Sequence, residues 1–325
     1  MSGTRTIYGL LVALLMAALS PSVSAQDFPN RLVRIVVPYP PGSGTDILAR
    51  LLADQLSRKW KNPVIVENLA GTASGNVAAA EFSRAFPDGH TIMLCPPGPI
   101  VTNRLLYKNL SYDPDKWVPI SLLATVPYVL MARKNLDAKT VQDLIALAKL
   151  NPKTITVASA GPGSSGTLAT SNFEMMAGIQ LNTIPYRGLG PAIKDVVAGQ
   201  VDLMFDTITT SLPLFLGGNV KILGTGTAKR LGVIPDVPTI SESGLPGFKS
   251  ITWFGLIAPP GTPAALADQI NRDVTQIINE RQVSARISSM NMQPVASTRE
   301  EAAKFFAEEA LYWGKVVKDA NITLD

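Results

Sequence analysis

The chain has 325 residues, of which 46% are hydrophobic and 17% charged, so it can bury a large core and does not resemble a disordered protein. Its formal charge is +4, and its lysines and arginines are scattered among acids, which argues against binding of nucleic acid. With one cysteine and one histidine, it can form neither an internal disulfide nor a zinc site built from several such ligands.

The first 25 residues have the three parts of a secretory signal peptide. Arg5 supplies a positive charge, residues 7–19 form a short apolar run, and residues 23–25 (Val-Ser-Ala) suit a cleavage site. The apolar run is shorter than the ~20 residues that span a bilayer. We predict a cleaved signal, a periplasmic location in a Gram-negative cell, and no membrane anchor after cleavage.

Strands and helices are predicted to alternate along the rest of the chain. A first group of β-rich runs covers residues 31–38, 63–67 and 91–95. Helical patterns lie between these runs, with Leu48, Leu52 and Leu56 on one face of the first helix. The β-α-β-α-β order predicts a parallel sheet with helices on its faces.

The alternation resumes in a second group of strands, predicted at residues 127–133, 153–158, 181–185 and 201–205. The last third has a strand at residues 252–258 and two long amphipathic helices, the second capped by Thr298 and Glu301. We predict two α/β domains joined by two crossing hinge strands with a cleft between them. Domain one would comprise residues 26–124 plus 250–325, and domain two residues 125–249.

Three loops rich in glycine and serine follow predicted parallel strands, at residues 40–46, 71–76 and 160–167, and each begins a helix. Ligands of open α/β sheets bind outside these strand ends. A helix start exposes unpaired N–H groups and about half a positive charge, which suits an anion. In the alternative interpretation, Ser43 and Asp46 form a capping box and the glycines only make turns.

Other motifs give weaker signals. Gly161, Gly163 and Gly166 match the dinucleotide-binding fingerprint, but the acid expected about 20 residues later is missing, so no cofactor is predicted. Asp46 and Asp206 can be read as an acid pair, although we interpret them as caps or cleft-lining groups. No metal site and no catalytic residue is predicted.

A set of ordered stretches carries a resemblance to one family. The stretches begin with Val-Pro-Tyr-Pro-Pro-Gly-Ser-Gly-Thr-Asp-Ile-Leu-Ala-Arg at residues 37–50 and continue at residues 66–68, 86–89, 185–188, 198–206, 235–239, 244–248 and 253–263. Together they make the mature chain similar to the substrate-binding receptors of tripartite tricarboxylate transporters, the Bug (TctC-like) family. The resemblance covers essentially all of the chain after the signal.

The resemblance implies an α/β periplasmic binding fold of type II, the Venus flytrap. It also implies a small carboxylate held largely by backbone amides, and delivery of that ligand to a membrane permease. Residues that would face the ligand are Tyr39, Pro41, Gly42, Ser43, Gly44, Thr45, Asp46, Ser74, Gly75, Asn76, Ala160, Gly161, Gly163, Ser164, Ser165, Thr167, Tyr186, Arg187, Gly188 and Asp206.

Some points stay open at this level. Arg187 can either add a charge-assisted contact to the ligand or be a solvated surface residue. The ligand can be a dicarboxylate or tricarboxylate, an amino acid or an aromatic acid. The same cleft can serve a membrane sensor instead of a permease. An exported hydrolase using Ser164, Ser165 and Asp206 would lack a histidine base. We expect a monomer that is not an enzyme.

Overall fold

The computed structural model describes residues 28–69, 75–159, 161, 163–186, 188–320 and 322, so the predicted signal peptide lies outside the described residues. The strands are β1 Val33–Val37, β2 Val64–Asn68, β3 Thr91–Cys95, β4 Val118–Arg133, β5 Thr156–Ser159, β6 Asn182–Pro185, β7 Leu203–Thr207, β8 Val220–Thr225, β9 Ile251–Ala258 and β10 Gln293–Pro294. The α-helices are α1 Gly44–Trp60, α2 Asn76–Phe82, α3 Asn103–Leu106, α4 Val141–Leu150, α5 Ser165–Ala177, α6 Leu189–Ala198, α7 Ile208–Leu216, α8 Ala264–Asn279, α9 Arg281–Ser289 and α10 Arg299–Asp319.

The first sheet has the strand order β2-β1-β3-β9-β4. Strand β1 pairs in parallel with β2 and β3, as the β-α-β-α-β pattern predicts. Strand β9 is antiparallel to both of its neighbours, because the chain enters it from the other side of the molecule. Helices α1 and α8 cover one face of this sheet with Leu48, Leu52, Ile270 and Val274, all of which are buried. We call the part of the protein built on this sheet domain one.

The second sheet contains β8, the second half of β4, β7, β5 and β6. Strand β5 is parallel to β6 and β7, whereas β4 is antiparallel to β7 and β8. Phe173, Phe205 and Phe248 pack edge to face or tilted in its core, with centroid distances of 5.8–6.1 Å. We call the part built on this sheet domain two.

Strand β4 belongs to both sheets and forms one crossing segment. It pairs with β9 up to Pro127 and with β7 from Tyr128 onward. We predicted this strand to cover residues 127–133. It begins at Val118 instead, and the sheet accommodates Pro119 by a shift in pairing register beside it.

The chain returns to domain one through a second crossing segment, which includes Ser250 and leads into β9 beside Tyr128. The amide of Gly226 donates to the carbonyl oxygen of Tyr128 at 2.8 Å, and the Tyr128 amide donates to the carbonyl oxygen of Ser250 at 3.1 Å. A side chain on Gly226 would overlap the Ser250 backbone, so glycine is needed for this close approach. The two crossing segments are thus bonded to one another at the point where the domains meet.

Helix α10 is anchored to the second crossing segment by Glu309. Its carboxylate is fully buried, accepts hydrogen bonds from Trp253 at 2.9 Å and Trp313 at 3.1 Å, and pairs with Lys249. The buried acid therefore satisfies two indole N–H groups and one amine at the back of the hinge. Within the described part of the chain, no helix is long and apolar enough to cross a membrane.

Candidate functional site

A cavity of about 460 Å³ lies between the two domains. Both domains line it, and its walls include the starts of α1, α5, α6 and α7. The lining residues are Tyr39, Gly44, Thr45, Pro96, Pro97, Gly98, Thr102, Val126, Tyr128, Gly161, Gly163, Ser164, Ser165, Leu189, Thr207, Thr209, Thr210, Thr252, Phe254 and Met292.

The start of α1 forms the domain-one side of the cavity. Ser43 caps the helix by accepting a hydrogen bond from the Asp46 amide at 3.2 Å. Gly44 and Thr45 line the cavity, and their N–H groups have no hydrogen-bond partner among the described residues. They are therefore available to an anion.

Asp46 holds this loop in place without lining the cavity. Its buried carboxylate accepts hydrogen bonds from the Gly42 amide at 2.9 Å, Arg50 Nε at 3.0 Å and Asn68 at 2.9 Å. Burial raises the pKa of Asp46, but hydrogen bonds from Arg50, Gly42 and Asn68 outweigh burial and hold the pKa below its ordinary value. The carboxylate thus stays ionised and orients the turn that precedes α1.

The start of α5 forms the facing side in domain two. Ser164 caps the helix, and the hydroxyl of Thr167 donates to the carbonyl oxygen of Gly161 at 2.9 Å. The N–H groups of Ser165 and Gly166 are unpaired within the part of the chain that the structure describes. A Cβ on Gly166 would lie 2.7 Å from the carbonyl oxygen of Phe205, so this helix start packs directly on the end of β7.

The start of α7 also reaches the cavity, and we did not predict it. Thr207, Thr209 and Thr210 line the cavity. The segment has no glycine loop and no capping box, and Pro213 lies inside the helix. The signal that could have found it is the run of threonines directly after the predicted strand at residues 201–205.

Asp206 lies directly before the start of α7 and is fully buried. Its carboxylate accepts hydrogen bonds from the hydroxyls of Thr210 and Ser211, the latter at 3.0 Å. Burial raises its pKa, against the opposing effect of these hydrogen bonds. The side chain faces the interior of domain two and does not line the cavity.

The structure brings seven of the predicted site residues to the cavity: Tyr39, Gly44, Thr45, Gly161, Gly163, Ser164 and Ser165. Ten lie outside its lining: Pro41, Gly42, Ser43, Asp46, Gly75, Asn76, Thr167, Tyr186, Gly188 and Asp206. Ser74, Ala160 and Arg187 fall outside the described residues.

Two of the residues outside the lining have their side chains engaged elsewhere. Asn76 accepts a hydrogen bond from the phenol of Tyr112 at 3.0 Å, within domain one. Tyr186 donates to the carboxylate of Asp195 at 2.6 Å, which ties the segment before α6 to that helix. Both residues therefore shape loops near the cavity.

The lining of the cavity has both polar and apolar parts. Hydroxyl groups and main-chain amides supply polarity, while Val126, Leu189, Phe254 and Met292 form apolar wall. Among the described residues, the lining contains no Asp, Glu, Lys, Arg or His. Such a site can hold an anion through helix starts and its hydrocarbon portion through the apolar wall.

Two α/β domains joined by crossing strands, with a cavity between them, define the class of periplasmic binding proteins. Residues 48–322 match the family described as tripartite tricarboxylate transporter family receptors, TctC. The chain belongs to this family, and the fold and resemblance predicted from sequence are confirmed.

Individual relatives agree with this assignment. The chain is 30% identical to protein BugT of Bordetella pertussis over 326 residues, covering 100% of each chain. An R. palustris protein determined with adipate is 33% identical, with a TM-score of 0.81, and the match covers 92% of this chain and 100% of that one. MatC from Rhodopseudomonas palustris, determined with malate bound, is 33% identical with a TM-score of 0.76, covering 89% and 100% of the two chains.

Proposed function

We propose that this protein is a periplasmic receptor that captures a small carboxylic acid in the cavity between its domains. The observation that carries the proposal is the convergence of the starts of α1 and α5 on one cavity from opposite domains. The similar proteins determined with adipate and malate show that dicarboxylates are held by close relatives.

The carboxylate would be held mainly by main-chain amides. Gly44 and Thr45 offer N–H groups from domain one, and Ser165 offers one from domain two, with the unpaired amide of Gly166 next to it in the chain. Each helix start adds about half a positive charge, so an anion is stabilised although no cation is present in the described lining. A dicarboxylate fits this arrangement, because each carboxylate can meet one helix start.

Reversible capture fits the site better than hydrolysis. The described lining contains the hydroxyls of Ser164 and Ser165, but it contains no imidazole, amine or carboxylate that could act as their base. A serine without an activating base is a poor nucleophile, so we propose that the protein is not an enzyme.

Binding from both domains also explains how capture would change the shape of the molecule. A ligand that contacts the starts of α1 and α5 together is bound more tightly when the domains close on it. The division into residues 26–124 plus 250–325 and 125–249 belongs to this proposal, with the hinge near Pro127 and Tyr128. We propose that the closed monomer delivers the acid to a membrane permease.

A thermal-shift screen tests the proposal. Mature protein would be melted with adipate, malate, succinate, citrate, glutamate and benzoate, and positive results would be measured by titration calorimetry. A ligand present at 100 times its Kd adds about 2.7 kcal/mol of stability, which raises Tm by several degrees. If none of these acids raised Tm at millimolar concentration, the proposal would fail.

Delivery to a permease needs its own experiment. Uptake of the radiolabelled acid would be measured in cells of the source strain with and without the gene for this receptor. We expect uptake to fall on deletion and to return on complementation. Unchanged uptake, with a protein that binds the acid in vitro, would favour a role in sensing.

A further inference from the structure

The three threonines at the start of α7 line the cavity with hydroxyls whose protons are committed to acceptors inside the protein. Thr209 donates to the carbonyl oxygen of Met290 at 3.0 Å, across the gap between the domains. Thr210 donates to the carboxylate of Asp206, and the carbonyl oxygen of Thr207 is a second acceptor at 3.2 Å. Neither proton is available to a ligand.

The direction of the hydrogen bond between Thr207 and Thr210 is found by elimination. Its hydroxyl oxygen lies 3.2 Å from that of Thr210, and either atom can donate. A threonine hydroxyl has one proton and two lone pairs. Because the proton of Thr210 points to Asp206, Thr207 is the donor of this bond. All three hydroxyl oxygens therefore offer lone pairs to the cavity.

Asp206 fixes this arrangement because it is fully buried and one of its oxygens, Oδ2, accepts from both Thr210 and Ser211. The other oxygen, Oδ1, is buried and has no hydrogen-bond partner among the described residues. Burial raises the pKa of Asp206. A proton on Oδ1 would leave Oδ2 as an acceptor, so the direction of the Thr210 bond is the same in either protonation state.

We propose that the start of α7 is a specificity subsite that selects carboxylic acids carrying a hydroxyl group beside a carboxylate. This rests on the proposed function, in which the starts of α1 and α5 hold the carboxylates. The ligand hydroxyl would donate to the oxygens of Thr207 and Thr210. Asp206 is a positioning residue that acts through Thr210.

The geometry favours a hydroxyl over an ammonium group. Thr207 makes no side-chain cap bond to α7, so the N–H groups of the first turn of this helix have no acceptor in that side chain. A helix start repels a cation. A hydroxyl is uncharged and can donate to the threonine oxygens while it accepts from an amide, so it matches both features.

Titration calorimetry with matched acids tests the inference. The probes would be L-malate and L-aspartate against succinate, and 2-hydroxyadipate against adipate, with the mature wild-type protein and the variants Thr210→Val and Thr210→Ser. We expect the wild type to bind the hydroxy acid about tenfold more tightly than its parent acid, equivalent to about 1.4 kcal/mol. Thr210→Val should bring this ratio close to one, and Thr210→Ser should retain it.

The outcomes separate this inference from the proposed function. Binding of none of the five acids would overturn both. Equal wild-type affinities for the hydroxy acid and its parent acid, an unchanged ratio in Thr210→Val, or tightest binding of aspartate would overturn the inference and leave the receptor function standing. Circular dichroism melts would check that both variants fold, and the wild-type ratio of affinities for hydroxy acid and parent acid still decides the inference if Thr210→Val does not fold.

Discussion

Removing one main-chain donor from the start of α5 would test directly whether amides hold the ligand. Ser165 is the first residue of this helix, a position where proline is favoured because its missing N–H has no partner within the helix. Ser164, which precedes it, has φ −64° and ψ 147°, the conformation that a residue before proline prefers. The variant Ser165→Pro should therefore fold and lack one ligand-facing N–H.

The size of the effect can be worked out against a matched control. Ser165→Ala also loses the hydroxyl but keeps the N–H, so the difference between the two variants isolates the amide. A hydrogen bond to a charged group contributes about 1.5–3 kcal/mol. We therefore expect the proline variant to bind about 10- to 150-fold more weakly than the alanine variant.

Titration calorimetry with adipate and malate would measure Kd for both variants, and thermal melts would compare their stability. We expect melting temperatures close to each other in the absence of ligand, because the helix gains a residue suited to its first position. Equal Kd values for two folded variants would refute the view that this amide contacts the carboxylate.

Three further substitutions probe the framework of the site. Asp46→Ala should lower Tm most at neutral pH. The folded-state pKa of Asp46 is held below the ordinary 3.8, so the stabilisation from its carboxylate is present above that pH and is lost as the pH falls. The control Asp54→Ala removes an exposed ion pair of the same helix and should cost under ~1 kcal/mol. Glu309→Ala should destabilise by about 3–5 kcal/mol in a denaturant titration, because three buried or half-buried donors lose their acceptor, whereas Glu308→Ala on the exposed side should be nearly neutral. Gly166→Ala should cost about 1–3 kcal/mol and weaken ligand binding in calorimetry, because its Cβ would lie 2.7 Å from a carbonyl oxygen.

For each of these three substitutions, one outcome would contradict the contacts described above. A Tm difference for Asp46→Ala that grew toward acid pH would contradict the proposed ionised, hydrogen-bonded carboxylate. Equal losses for Glu309→Ala and Glu308→Ala would show that the buried acid is not the anchor of α10. Wild-type affinity and stability in Gly166→Ala would mean that α5 does not pack against β7 as described.

Several features of the fold and site could be read from local sequence because their physical causes are local. The capping box at Thr298 forms as predicted, since both bonds of a capping box lie within four residues. The loops that begin α1 and α5 were also found, because glycine and serine between a strand and a helix leave amides exposed wherever they occur. These loops supply Gly44 and Ser165 to the cavity.

Other parts of the site had no local signal. Val126 and Tyr128 come from one crossing strand, Thr252 and Phe254 from the other, and Met292 from the segment before β10. They meet because β4 and β9 pair across more than a hundred residues of chain, which no short window of sequence displays. The resemblance to the receptor family implied that Asp46 and Asp206 face the ligand, whereas the structure turns both carboxylates toward hydrogen-bond donors of their own domains.

The sequence by itself determined the α/β alternation, the two glycine-rich helix starts and the family. The periodicity of hydrophobic residues, the capping residues and the order of motifs can all be read directly from the sequence. The tertiary structure decided which helix starts share a cavity, α7 among them, and which hydroxyls are already hydrogen-bonded within the protein. These properties depend on the relative positions of residues far apart in the chain and on which acceptors the buried hydroxyl groups bond to. Both are fixed when the two sheets pack together.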